Sequence, residues 1–149
     1  MQINEYTLAD LAVGQTERLQ VEVLPETVDR FAALSGDHSP VHVDRDYAEQ
    51  RGFPGRIAHG MLLGAYVSAL IGTLLPGKHG LLQSCELEFR RPLVPPDRID
   101  IVGEITGISL GTGQVSMKII IRSEAGVVLA MGKVKTLVRT ADSSGGSTA

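Results

Sequence analysis

The chain has 149 residues, of which 43% are hydrophobic and 21% are charged, and its 14 basic and 17 acidic side chains give a formal charge of −3. This length favours one domain, and the composition is typical of a folded soluble protein rather than a disordered one. There are three tyrosines, three phenylalanines and no tryptophan. Without a basic surface or stacking aromatics, we expect no nucleic-acid partner.

The cysteine content and the first residues bear on the cellular compartment. The single cysteine, Cys85, cannot close a disulfide within the chain. Residues 1–5 lack the basic and then apolar layout of a secretory signal. We therefore expect a cytoplasmic protein.

The first predicted elements are one strand and two short helices. Apolar residues at every second position predict a strand over residues 18–23. Residues 26–34 place apolar side chains on one helical face, and Gly36 can end this helix in the left-handed conformation. Asp44 is a good N-cap for a second short helix, which Gly52 ends.

A long apolar helix is predicted next. Residues 57–77 contain no formally charged side chain and approach the length of a bilayer span. Glycines, polar residues and His59 lower the hydrophobicity, and no second span or basic flank follows. The pattern therefore favours a buried helix that begins at Gly60, with no membrane partner. Because this helix is apolar on nearly every side, we expect a curved sheet to wrap around it.

Four later segments alternate apolar and polar residues, which predicts strands with one buried and one wet face. The segments are residues 84–89, 99–105, 115–121 and 128–138. In the first of them, Cys85, Leu87 and Phe89 share the face expected to be buried. Turn residues separate each strand from the next, so we expect consecutive strands to pair in antiparallel.

The order of elements is strand, short helices, long buried helix and four antiparallel strands. This is an α+β arrangement in which an antiparallel sheet of about five strands wraps around one helix, the hotdog fold. We expect one such domain over residues 1–140 and a flexible tail over residues 141–149, which lack large apolar side chains. Edge strands and an incompletely covered helix need a partner, so we also expect a homodimer.

The sequence Ser-Gly-Asp-His-Ser-Pro-Val-His at residues 35–42 places a carboxylate, Asp37, five residues from an imidazole, His42. Pro40 fixes its own φ and pushes Ser39 toward extended backbone, so we expect a stiff, non-helical bend. Both groups can then face one small volume. A carboxylate beside an imidazole can hold a water, remove its proton as it attacks, and return a proton to a neighbouring atom. The pair predicts general acid–base catalysis.

Two other interpretations of this segment stay open. Asp37 can form only a local Asx turn while His42 fills a half-buried polar position. His38 and His42 also have the four-residue spacing of metal ligands on one helical face, but Pro40 disfavours the helix that this spacing requires. No clustered cysteines accompany them, so we predict no metal.

A loop meets the long helix at the sequence Ala-His-Gly-Met of residues 58–61. Gly60 allows close approach of a substrate, and its N–H at the helix N-terminus can donate to an anionic or strongly polarised oxygen, such as that of a thioester that becomes an enolate. Tight packing of helix against sheet explains a glycine here equally well. We interpret His59 as a supporting or capping residue rather than a catalytic one.

These motifs resemble those of the MaoC-like, R-specific enoyl-CoA hydratases, also called hydratase 2, and of the related β-hydroxyacyl dehydratases. Residues 35–44 are similar to the family's Gly-Asp-x-Asn-Pro-x-His signature, and residues 58–61 follow as in its members. The resemblance covers most of the chain. It implies a hotdog dimer with Asp37 and His42 as the catalytic pair and Gly60 as the backbone oxyanion donor.

One departure from the signature is Ser39, which stands where many members have asparagine. In the family this amide helps to hold the catalytic water or to orient the pair, which makes Ser39 a candidate substrate-binding residue. A serine hydroxyl also donates and accepts, but it is shorter. The hydrogen bond is therefore either lost or relayed through another water.

The expected activity is reversible syn hydration of a trans-2-enoyl-CoA to an R-3-hydroxyacyl-CoA, with no cofactor. The acyl chain would lie beside the long helix, where the candidate lining residues, which are equally candidate core residues, are Met61, Leu62, Leu63 and Val67. Arg90 and Arg91 can supply positive charge for the CoA phosphates, or can simply be a solvated strand end.

Two alternative functions stay open. A hotdog acyl-CoA thioesterase would use the same dimer and oxyanion donor, but is usually argued from an acidic residue on the helix, and residues 60–75 contain none. A non-catalytic module that binds acyl thioesters is favoured only by Ser39.

Overall fold

The computed structural model describes residues 1–139 as one sheet with helices against one face. After a 3-10 turn at Leu8–Asp10, the elements are β1 (Thr16–Val23), α1 (Pro25–Ser35), α2 (Pro40–Val43), α3 (Arg45–Gln50), α4 (Gly60–Thr73), β2 (Gly80–Phe89), β3 (Asp97–Ser109), β4 (Gln114–Ser123) and β5 (Val128–Val138). The predicted tail, residues 141–149, lies outside the described residues.

The five strands form one antiparallel sheet in the order β1-β3-β4-β5-β2. The predicted antiparallel pairs β3–β4 and β4–β5 are confirmed. The expected pairing of β2 with β3 is wrong, because β2 pairs with β5 at the far edge. The link over residues 92–96 contains three prolines, which lack N–H groups and extend the chain, so it crosses the sheet end instead of turning back.

The core lies between the sheet and α4. The inward side chains of β3 and β4 are fully buried, as the alternation predicted, and include Ile101, Ile105 and Ile119. From α4 they meet Leu70, which is 0% exposed. Gly103 allows the closest approach, since a Cβ there would lie 2.9 Å from a Leu70 methyl group.

The long helix α4 is covered on one side only. It begins at Gly60 as predicted and has 14 residues, and no helix within residues 1–139 is long and apolar enough to cross a bilayer. Met61, Ala65, Ser68 and Gly72 lie along one exposed flank. The sheet of this chain therefore does not wrap the helix on all sides, because a single-layer sheet reaches only the facing side.

Strand β2 is less buried than its alternation predicted. Cys85 is exposed and Phe89 is 47% exposed, whereas Leu87 is partly buried. The expected buried face is thus wrong for Cys85 and Phe89. Edge position is the reason, since β2 has a neighbouring strand on one side only.

The predicted helix ends are confirmed at two positions. Gly36 follows α1 with a φ of +78°, the left-handed conformation that favours glycine. The Asp44 carboxylate accepts a hydrogen bond from the Tyr47 N–H and so caps α3. These two ends bracket the segment that carries Asp37 and His42.

Candidate active site

His42 lies in a single helical turn rather than in the non-helical bend that the sequence predicted. Pro40 is the first residue of α2, whose last turn contains His42. The expectation that Pro40 prevents a helix is therefore wrong. A proline is disfavoured inside a helix, but at the first position its missing N–H has no intrahelical acceptor to lose and its φ already suits the helix.

The tautomer of His42 follows from one contact. Its Nδ1 lies 2.7 Å from the carbonyl oxygen of Ile57. A carbonyl can only accept, so Nδ1 carries a hydrogen, and in the neutral ring Nε2 then keeps its lone pair. That Nε2 atom lies 3.9 Å from Oδ2 of Asp37. The structure thus brings the predicted pair together with a basic nitrogen facing a carboxyl oxygen.

The separation between the pair suits a water molecule. At 3.9 Å the two atoms are too far apart for a direct hydrogen bond, yet a water about 2.8 Å from each can contact both. The His42 side chain is 12% exposed and that of Asp37 is 52% exposed. The imidazole is therefore largely buried, whereas the carboxylate is in contact with solvent.

Asp37 also forms the local turn that was the alternative interpretation. Its Oδ1 accepts a hydrogen bond from the Ser39 N–H at 3.1 Å, while its Oδ2 faces His42. The two interpretations are compatible, because each uses a different carboxyl oxygen. Within residues 1–139 the Ser39 hydroxyl makes no hydrogen bond.

His59 is part of the site, although the sequence reasoning placed it outside the catalytic pair. It is 2% exposed, its Nε2 donates to the Asp37 carbonyl oxygen at 2.9 Å, and its ring stacks on His42 with centroids 3.9 Å apart. The ring of Phe31 packs against it with centroids 4.9 Å apart. His59 therefore contacts both predicted catalytic residues. These contacts agree with a supporting role; His59 also occupies the N-cap position of α4, although its side chain makes no cap hydrogen bond.

The position of Gly60 is compatible with both interpretations of this glycine. It is the first residue of α4, and among the described residues its N–H has no acceptor. It is also tightly packed, since a Cβ at this position would lie 3.0 Å from Cζ of Phe89. The amide therefore stays available for an oxygen at the positive end of α4.

A cavity of about 360 Å³ opens in front of His42 and Gly60. Of the four predicted acyl-lining residues only Leu63 lines it. Leu62 and Val67 are buried in the core, and Met61 is 65% exposed on the free flank of α4. Phe89 lines the cavity without having been predicted to, and Arg90 and Arg91 form part of its wall.

A metal ion suits these residues less well than a water does. Asp37, His42 and His59 have possible ligand atoms within 4.8 Å of one another. However, Nδ1 of His42 and Nε2 of His59 are committed to carbonyl oxygens. The two rings are stacked 27° from parallel, so their remaining lone pairs lie in nearly parallel planes instead of converging as a metal requires.

The chain has a hotdog fold, in which an antiparallel sheet packs against one long helix. The Asp–His pair lies beside the N-terminus of this helix. The MaoC like domain matches residues 10–125, and the chain belongs to this family.

Individual relatives share both sequence and fold with the chain. It is 34% identical over 128 residues to the (R)-specific enoyl-CoA hydratase of Rhodospirillum rubrum, covering 80% of this chain and 89% of that protein. It is 38% identical over 98 residues to the (R)-specific enoyl-CoA hydratase of Aeromonas caviae, covering 66% and 73%. The unliganded R-hydratase of Pseudomonas aeruginosa superimposes with a TM-score of 0.87 at 33% identity, covering 93% of this chain and 88% of that one.

Proposed function

We propose that this protein is an R-specific enoyl-CoA hydratase, which adds water reversibly to a trans-2-enoyl-CoA and gives an R-3-hydroxyacyl-CoA. The names of the relatives support this reaction. The observation that carries the proposal is the 3.9 Å gap between Nε2 of His42 and the Asp37 carboxylate, next to a cavity that is lined by His42 and Gly60.

In the proposed reaction, Asp37 and His42 hold one water between them. The water oxygen bonds to C3 of the substrate and its proton passes to the pair, which delivers a proton to C2. Because both groups lie on one side of the substrate, the hydroxyl and the hydrogen add to the same face. Positioning and acid–base catalysis each supply several orders of magnitude in rate, and no change of oxidation state calls for a redox cofactor.

Gly60 is proposed to stabilise the charge that develops on the thioester oxygen. As water attacks C3, electron density moves to this oxygen. The Gly60 N–H and the positive end of α4 can face it without reorganisation. Ser39 is proposed to help bind the water or the substrate through its hydroxyl.

Positive charge near the cavity supports an acyl-CoA substrate. Arg90 and Arg91 line the cavity, where guanidinium groups can pair with CoA phosphates. The Arg90 Nη2 also lies 3.0 Å from the Glu88 carboxylate. Arg91 is therefore the stronger candidate for the phosphate contact.

A direct test uses the ultraviolet absorbance of crotonyl-CoA, which falls when its conjugated double bond is hydrated. Wild-type protein should consume the chromophore, and Asp37→Asn should lower kcat at least about 100-fold, since it removes one acid–base group. Asp46→Asn, at an exposed position of α3, is the matched control and should retain full activity. An active Asp37→Asn enzyme would contradict the assignment.

The same assay separates the two alternatives. Release of free thiol would indicate a thioesterase, because hydrolysis frees CoA whereas hydration leaves the thioester intact, although α4 offers no acidic residue for a thioesterase. Tight binding of crotonyl-CoA with neither signal would indicate a non-catalytic module.

We also propose a homodimer located in the cytoplasm. The exposed flank of α4 and the unpaired edge of β2 support the dimer, because both features are normally covered in folded proteins. The lone cysteine supports the compartment.

A further inference from the structure

Arg56 connects the turn that carries His42 to a different helix. Its Nη1 lies 2.6 Å from Oδ1 of Asp29 in α1 and 3.3 Å from the carbonyl oxygen of His42. The Arg56 side chain is 22% exposed and that of Asp29 is 55% exposed. One guanidinium group thus contacts both a carboxylate and the backbone of the proposed catalytic histidine.

The turn α2 needs such support because it has only four residues. Isolated helices of this length are unstable in water, and their last carbonyl groups have no intrahelical donors. Arg56 donates to one of these carbonyls, and a cation is favourable at a helix C-terminus. The neighbouring Ile57 adds two backbone contacts, its N–H to the Val41 carbonyl at 3.1 Å and its carbonyl to Nδ1 of His42.

Helix α1 is connected to both members of the proposed pair. Its C-cap Gly36 directly precedes Asp37, so this carboxylate is placed by the end of α1. Asp29 lies inside the same helix and holds Arg56, which in turn holds His42. The gap of 3.9 Å between Asp37 and His42 therefore depends on one connection through α1 and another through Arg56.

We propose that Asp29 and Arg56 are positioning residues that hold His42 in register with Asp37. This inference rests on the proposed hydratase function. The hydrogen bond from Arg56 lowers the pKa of the Asp29 carboxyl, which favours the ionised form that pairs with Arg56. Neither residue lines the cavity in front of His42, and both act through the backbone of His42.

The first experiment compares kcat and KM on crotonyl-CoA. Arg56→Met should lower kcat about 10-fold to 100-fold with KM within about twofold, because misplacing a catalytic group affects the chemical step more than binding. Arg56→Lys keeps a cationic donor and should recover part of this loss. Arg18→Met breaks the Arg18–Asp100 pair between β1 and β3, away from the site, and should lower Tm to a similar extent while leaving kcat unchanged.

A charge-swapped variant separates positioning from a merely structural ion pair. Asp29→Arg with Arg56→Asp can restore the ion pair, but an aspartate at position 56 cannot donate to the His42 carbonyl. Relative to the two single variants, we expect the Tm of the swapped variant to return toward the wild-type value while its kcat stays low. Recovery of wild-type kcat in the swapped variant would overturn the proposal.

A spectroscopic measurement keeps the proposal testable without catalysis. In wild type, ¹⁵N NMR of the histidine rings should show His42 with a protonated Nδ1 and an unprotonated Nε2, assigned by the loss of these signals in His42→Gln. Arg56→Met, or Asp29→Asn if that variant does not fold, should show a mixture of tautomers. An unchanged His42 spectrum in a folded variant would refute positioning. Inactive wild-type protein with the expected spectra would instead refute the proposed function alone.

Discussion

The proton on Nδ1 of His42 is fixed by a backbone carbonyl group, and this single contact decides which nitrogen can act as a base. Ile57 supplies that carbonyl, and it lies fifteen residues farther along the chain. His59 stabilises this arrangement, since its ring stacks on His42 and its Nε2 donates to the Asp37 carbonyl oxygen. The chemistry proposed for two residues thus depends on the backbone and rings of two others.

The role of His59 can be tested by His59→Phe. This change keeps a stacking ring but removes the donor to the Asp37 carbonyl, so Asp37 is less well fixed. We expect kcat on crotonyl-CoA to fall about tenfold, with a smaller effect on KM. The melting temperature of the variant should stay close to that of wild type. The reason is that the substitution also removes the buried Nδ1 of His59, which has no partner among residues 1–139.

His38→Gln is the control for this prediction, since His38 is exposed in the same segment. It should leave kcat unchanged. Equal kcat in wild type and His59→Phe would show that the Asp37 backbone needs no support from this ring.

At the scale of elements, the approach of α4 to the sheet positions the site. Gly103 in β3 lets the helix come close, because Leu70 of α4 and Met117 of β4 occupy the space that a side chain would need. The N-terminus of α4, with Gly60, is thereby directed at the cavity. A change in this packing would move the proposed oxyanion donor relative to His42.

Gly103→Ala should destabilise the protein by about 1–3 kcal/mol, because the added Cβ would lie 2.9 Å from both Leu70 and Met117 and would overpack the core. Urea denaturation measures the change in the free energy of unfolding. Gly111→Ala, in the exposed turn between β3 and β4 where nothing lies within 4 Å, is the matched control. Similar stability of the two variants would contradict the close helix–sheet contact.

At the scale of the whole molecule, two features of the described part of the chain lack cover. Strand β2 is an edge of the sheet, and the flank of α4 that contains Met61 faces outward. A second copy of the chain placed against these features would continue the sheet and cover the helix.

Light scattering tests the proposed homodimer. Wild-type protein should have about twice the 15.9 kDa mass of the chain. Met61→Glu places a charge on the exposed flank of α4 and should shift the mass toward that of one chain, since an unpaired charge is costly in an interface. Leu110→Glu, at a 78% exposed turn position, should leave the dimer intact. A monomeric wild type would disprove the dimer.

Local patterns in the sequence determined most of the elements and the core faces of β3 and β4. The alternation of Ile99, Ile101 and Ile105 predicted a buried strand face, and Gly36 and Asp44 marked helix ends, because each depends only on nearby backbone geometry and side-chain spacing. The segment with Asp37 and His42 was also recognisable, since its residues are close in sequence.

The tertiary structure alone decided the contacts between distant segments. The pairing of β2 with β5, the carbonyl of Ile57 on His42, the stacking of His59 and the bridge from Arg56 to Asp29 all join residues that are far apart in the chain. No local spacing encodes such contacts, because they form only when packing of the whole core brings the segments together.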